Sequence, residues 1–226
     1  FFFILIAFIV YLGIFGIKTN KFNDKINSKI SKINENISIE LKTVKLILNI
    51  KDFIFEIKTF EPIITFNNQE LLFEEIKTNI SIKALFTNQF SINNLNISTK
   101  KIDIKDIILI GRSLDNSPEL FLLDSVLKKG FVVGEINLNF DDKGNIKDNY
   151  EINGFIKDGK LNLSKKYNLD NLILLFKIKK KEYFLKDIKT NFNKIRLLLP
   201  FIQIKEERDN FSINGKLSNY INNKNF

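Results

Sequence analysis

In the stretch TVKLILNIK, Val44, Leu46, Leu48 and Ile50 fall on one side of an extended chain, with Lys45, Asn49 and Lys51 on the other. A repeat of two does not fit a helix. It calls for a sheet with one apolar and one polar face. The pattern recurs from about Ser38 onward. DFIFEIKTF groups Phe53, Phe55 and Ile57, and EEIKTNISIKALF groups Ile76, Ile80 and Ile82. In FSINNLNIST, Phe90 and Ile92 give way to Leu95 and Ile97, so the parity slips across Asn93–Asn94, which predicts a β-bulge. Further along, Ile136, Leu138 and Phe140 alternate with polar residues, and Tyr150 and Ile152 resume the pattern. The expected fold is mainly β, an antiparallel sheet. The candidates for its apolar row are Leu46, Leu48, Phe53, Phe55 and Ile82, then Ile136, Leu138, Phe140 and Ile152.

Turn chemistry sets the connections. DDKGN, residues 141–145, offers Asp142, Gly144 and Asn145 for a tight reversal after Phe140. KDGK at 157–160 predicts a second turn. Further hairpins are expected around Lys180-Lys181-Glu182 and around Glu207-Arg208-Asp209-Asn210. One helix interrupts the strands. In NSPELFLLDSVLKKG, Asn116 or Ser117 suits the N-cap, Pro118 the first helical position and Glu119 the first turn. Lys128 and Lys129 suit the last turn and Gly130 the stop, so a helix is predicted near 118–129.

The leading segment differs. Phe1 to Ile17 carries no charge, and only Tyr11, Gly13 and Gly16 interrupt its apolar run. It reads as a transmembrane anchor over 1–17, at the short end of the roughly 20 residues a span needs. The run passes into GIKTNKF without a small-residue cleavage triplet, which argues against a signal peptide. Next, Ile26, Ile30, Ile33 and Ile37 repeat at helical spacing among Lys and Asn, predicting an amphipathic connecting helix over 18–37. Such a helix suits either the headgroup layer or the end of a β domain. The β-rich domain then occupies 38–226. The chain has no Met, so a piece of a longer protein is expected.

Composition removes several chemistries. With no Cys and no His, the usual ligands of zinc, haem and iron–sulfur centres are missing, as are thiol nucleophiles and histidine-based triads. No EF-hand loop or Gly-rich phosphate cradle is present. No cofactor is expected. The nucleophile–base candidates are Ser–Lys pairs such as Ser164–Lys165 and Ser31–Lys32, which are adjacent residues. On a strand they would face opposite ways, so no enzyme activity is expected. The formal charge of +9 rests almost wholly on Lys, alongside abundant Asn, Ile and Phe, a composition that AT-rich coding produces. Lys lacks the bidentate fork of Arg, and no nucleic-acid partner is expected.

The anchor, the strand series ISIELKTVKLIL and NLNISTKKIDIKDIIL, and GEINLNFDDKGNIKDNYEING together resemble the AsmA-like family of Gram-negative envelope proteins, the group of AsmA, TamB and YhdP. The resemblance implies a long curved β-groove, shaped like a taco, with an apolar interior. It implies anchoring in the inner membrane by a single pass, a β domain in the periplasm, and movement of phospholipid between inner and outer membranes. The family brings no catalytic motif to this sequence. A docking or assembly protein of the envelope, similar in layout to the LptC-like bridge component, is the alternative reading. In that case an exposed strand edge would take a protein partner.

Overall fold

A computed structural model of the chain describes residues 2–219, except 21–22, 25–26, 28–35, 68, 83–91, 115–117, 142, 144, 165, 181, 194 and 208–209. It is mainly β, with antiparallel pairing throughout, as the alternation predicts. The residues form two compact units, one of 1–100 and 135–150 and the other of 101–134 and 151–226.

In the first unit, helix α1 spans Phe2–Ile14 and strand β1 spans Ile17–Thr19. Strands β2 (Ile37–Glu40), β3 (Val44–Asn49), β4 (Ile54–Phe60), β5 (Ile63–Phe66), β6 (Gln69–Ser81) and β7 (Ile92–Thr99) follow. The last part of β9 (Leu127–Asn139) completes the unit. The sheet order is β1-β3-β4-β6-β7-β9, and β2 and β5 form an antiparallel pair that joins the first half of β6. Ile39, Leu41 and Val44 are buried together, with Leu46, Ile57, Ile64 and Ile76 packed on them. The core therefore sits where the β2–β5 pair covers one end of the sheet. The predicted bulge is present. Asn79 pairs Asn94 while Ile80 pairs Ile92, so Asn93 is the extra residue.

The leading helix is shorter than the predicted 1–17 span. The helix ends at Ile14, and Ile17 already pairs with Leu46 on β3. Among the described residues no helix is long and apolar enough to cross a membrane. Of the predicted 18–37 amphipathic helix, Lys18, Thr19 and Ile37 are strand instead, whereas Asn23, Asp24 and Asn27 between them are helical. Ile26, Ile30 and Ile33 lie outside the described residues. The chain passes from helix to strand through Gly16, at φ +67°. A Cβ there would lie 2.4 Å from the Leu46 carbonyl oxygen, so only glycine allows so abrupt a change.

The corner between β4 and β5 is pinned electrostatically. Glu61 binds Lys100 at 2.5 Å and Lys42 at 2.9 Å. The Lys100 hydrogen bond first, then that of Lys42, holds its carboxyl at about 2 instead of 4.5. A depressed folded pKa stabilises the fold fully above about 4.5, and the contribution disappears as pH falls toward about 2. The Glu61 carboxyl is therefore expected to titrate near 2 by NMR. Glu61→Gln is expected to flatten the acid-stability profile between those limits. Because the pair is exposed, salt will weaken the effect. A titration midpoint near 4.5 would refute the pinning.

The second unit contains β8 (Ile102–Asp103), α2 (Ile104–Leu114), α3 (Pro118–Val126), the first part of β9, and β10 (Glu151–Asn162). It continues with β11 (Asn168–Lys179), β12 (Glu182–Phe192), β13 (Ile195–Glu207) and β14 (Asn210–Asn219), each hydrogen-bonded to the next. Two boundaries change. Helix α3 begins at Pro118 as predicted but ends at Val126, and Leu127, Lys128, Lys129 and Gly130 open β9. Helix α2 occupies IKDIILIGRSL, which the alternation of Ile102 and Ile104 presents as strand. Asp103 starts this helix by accepting the Lys105 N–H at 2.9 Å. Arg112 then joins α2 to α3 through Asp124 and lies 5.3 Å from the Phe121 ring centre.

KDGK is not a turn. Strand β10 runs through it, and Asp158 sits in the left-handed region at φ 54°. Asn171 on β11 (φ 53°) and Asp187 on β12 (φ 51°) do the same. On β10 and β11 the register shifts at these points, between Ile156/Gly159 and Gly159/Leu161, and the β11–β12 register shifts between Asp170/Ile173 and Ile173/Leu175. A row of bulges thus crosses neighbouring strands, placed on the residue types that tolerate this backbone best. Leu172, Leu174 and Ile188 form the buried core beside the row. The strand pairs expected on either side of Lys180-Lys181 and Arg208-Asp209 are present, ending at Lys179–Glu182 and Glu207–Asn210, while Lys181, Arg208 and Asp209 themselves lie outside the described residues.

Candidate functional site

Residues paired across an antiparallel ladder share a face, so the register identifies which side chains stand together. In the first unit Leu46 pairs Ile57, Ile57 pairs Thr78, Thr78 pairs Leu95 and Leu95 pairs Leu138. The row beside it is Leu48, Phe55, Ile80 and Ile92. On the other side run Val44, Thr59, Ile76, Ile97 and Ile136. One face of this sheet is thus apolar from β3 to β9, with two threonines the only polar residues in these rows.

The opposite face is polar. Lys45, Lys58 and Lys77 pair in sequence, followed by Asn96 and Asn137. Glu56 offsets the cations, at 2.7 Å from Lys58 and 3.3 Å from Lys77. Partial burial pushes its carboxyl up, but the hydrogen bonds from those two lysines outweigh this and hold it below its ordinary value. The residues of this face are half-buried, in the same range as those opposite, so the two faces differ in chemistry rather than in exposure.

The apolar face is not sealed. Val44 is buried at 1% exposure under the β2–β5 end, whereas Leu46, Leu48, Phe55, Ile80, Leu95, Ile136 and Leu138 are all half-buried. Of the predicted row, Leu46, Leu48, Phe55, Ile136 and Leu138 are brought together here. Phe140, half-buried, bridges to Ile146 across the DDKGN reversal. Ile82 follows β6 and donates its N–H to the Phe53 carbonyl at 3.0 Å. Phe53 itself precedes β4, in a turn, and is 68% exposed, so it stands off the row. Ile152 belongs to the second unit, where it pairs Ile178. Ile57, Ile80 and Leu95 belong on the face although the predicted row omits them. Their own alternation carries the signal, and the cross-strand partners that place them are set by the register.

Helix α1 adds a second apolar surface. Phe2, Phe3, Ile4, Phe8 and Ile14 are all at least half exposed, on different sides of the helix. Its last turn lies against the sheet, since a Cβ on Gly13 would sit 3.3 Å from the Leu48 carbonyl oxygen and 3.6 Å from Ile50 Cδ1.

Other sites are less suited to an apolar ligand or to catalysis. A cavity of about 320 Å3 in the second unit is lined by Lys101, Asp103, Lys129, Gly130, Phe131 and Asp158. Its charges pair badly with hydrocarbon. Ser164 lies in the loop after β10, its Oγ accepting the Lys166 N–H at 3.2 Å, and Lys165, Ser31 and Lys32 lie outside the described residues. Among the described residues no group of three carboxylates converges as a metal site. No family model, curated protein or solved structure matches the chain.

Proposed function

We propose that this is a non-catalytic, membrane-anchored envelope protein whose apolar sheet face binds phospholipid acyl chains and conducts them between the inner and outer membranes. The observation that carries the reading is the unsealed face of the first unit, continuous from Leu46 on β3 to Leu138 on β9. Each methylene withdrawn from a bilayer costs about 0.8 kcal/mol unless apolar surface replaces its surroundings. A row of Leu, Ile and Phe supplies such surface, and no titrating group is needed for it. The exposed α1 supports the anchor. At 13 residues it reaches about 20 Å, most of the way through a hydrocarbon core of roughly 30 Å. Location in the inner membrane, with the β domain in the periplasm, follows the AsmA-like resemblance, as does curvature of the sheet into a groove.

Photo-crosslinking tests this directly. A photoreactive phenylalanine analogue at Phe55 is expected to form adducts with phospholipid in native membranes, read by mass spectrometry. The same analogue at Glu56, one residue on and facing the other way, is expected to form none. Equal labelling at both positions, or none at Phe55, would overturn the proposal.

A second reading, assembly by strand addition, draws on β14. It pairs β13 on one side, no strand covers its other edge among the described residues, and Phe211 and Ile213 are 61% and 67% exposed. Protein adducts concentrated at Phe211, with none to lipid at Phe55, would favour it.

A further inference from the structure

The turn between β3 and β4, residues Ile50–Phe53, is built with an unusual residue. Phe53 adopts φ 53°, a left-handed conformation that glycine and asparagine take easily and a bulky aromatic does not. The turn is well held. Asp52 N–H donates to Asn49 Oδ1 at 3.2 Å, Asn49 Nδ2 donates to Asp52 Oδ2 at 2.9 Å, and the Phe53 carbonyl accepts the Ile82 N–H at 3.0 Å. Yet the ring gains little packing within the protein, being 68% exposed, and Ile50 beside it is 46% exposed. These hydrogen bonds hold the backbone in this conformation but leave the ring itself open to contact from outside the chain.

The position of the turn indicates where. Ile50 lies against the last turn of α1 at Gly13. From there Gly16 leads at once into β1, paired with β3, so no flexible linker separates helix from sheet. The same end of the sheet carries the Phe140–Ile146 bridge, with Ile146 54% exposed. We infer that the Ile50–Phe53 turn beds into the lipid bilayer beside α1, so that the sheet stands on the membrane with the Leu48–Phe55 end of its apolar face at the lipid surface. This rests on the reading that α1 is embedded in lipid. It adds a docking surface and an orientation, in which an acyl chain passes from bilayer to sheet without crossing water.

The chain contains no Trp, so one introduced indole reports alone. Three variants of the chain, Phe8→Trp in α1, Phe53→Trp, and Phe60→Trp at the far end of β4, are compared in vesicles of phosphatidylglycerol and acyl-brominated phosphatidylcholine. Strand β4 puts positions 53 and 60 roughly 20 Å apart. The expected result is strong bromine quenching at positions 8 and 53 and weak quenching at 60. Quenching at 8 but not at 53 overturns the docking turn and leaves the anchor standing. Absence of quenching at 8 overturns both. Equal quenching at 53 and 60 overturns the orientation. Phe53→Asn, which suits the backbone and removes the ring, is expected to keep the fold by circular dichroism. In the Phe8→Trp background it is expected to raise the fraction of protein extracted from vesicles by carbonate wash. Unchanged extraction would count against the turn as a docking element.

Discussion

Gly154→Val is expected to unfold the second unit under conditions where the wild type is stable, with a loss of about 3 kcal/mol. Gly154 lies on β10, where it faces Gly134 of β9. A Cβ there would come within 2.4 Å of the Val133 carbonyl oxygen, 2.8 Å of Gly134 Cα and 2.9 Å of Phe176 Cζ. Two of those three atoms are backbone. A rotamer change relieves the Phe176 contact only, so the strands must separate and their ladder must weaken. Urea unfolding followed by circular dichroism measures the effect. A shift smaller than about 0.5 kcal/mol, the size of an ordinary surface change, would mean that β9 and β10 do not approach so closely.

Leu138→Asp is expected to remove bound phospholipid while leaving the protein folded. Leu138 stands opposite Leu95 on the apolar face and is half-buried, so a carboxylate there still reaches water in the lipid-free protein. With an acyl chain laid over it, that carboxylate is desolvated without a partner, at a cost of several kcal/mol. Since each 1.4 kcal/mol is tenfold, phospholipid recovered per protein should fall by at least about tenfold. Asn137→Asp is the matched control, next in the chain and on the polar face, and should keep its lipid. Quantitative lipid mass spectrometry of both purified variants decides the matter. Equal lipid in Leu138→Asp and wild type would defeat the acyl-chain reading.

Much of the β architecture can be read directly from residue order, for a simple reason. A sheet wet on one side imposes a period of two, and Val44, Leu46 and Leu48 display it. The parity slip at Asn93 identifies a bulge by the same logic. The failures share a cause as well. KDGK contains turn-forming residues and a parity change, but a bulge produces both signals too, and only the pairing of Gly159 with Leu172 separates the two. Helix α2 was hidden because Ile102 and Ile104 continue the strand alternation into its first residue. Its legible mark was Asp103, a side chain able to cap the next turn. Phe53 joins the row by spacing alone, and the turn geometry takes it off. Cross-strand register, which decides what shares a face, depends on partners far apart in sequence, such as Leu95 and Leu138.

The bulge row carries a consequence for how such a chain tolerates insertion and deletion. On β10 the extra residue lies at 157–158 and on β11 at 170–171, so one offset cancels the other and the two strands regain their original alignment by Leu161–Leu169. Removing Asp158 alone would leave everything beyond it out of step with β11 by one place, turning oily side chains to water. Removing one residue from each strand together would restore the match. Length changes in this part of the molecule are therefore tolerated as coordinated pairs, and a single-residue deletion here should be far more damaging than the same deletion in the loop at 163–167.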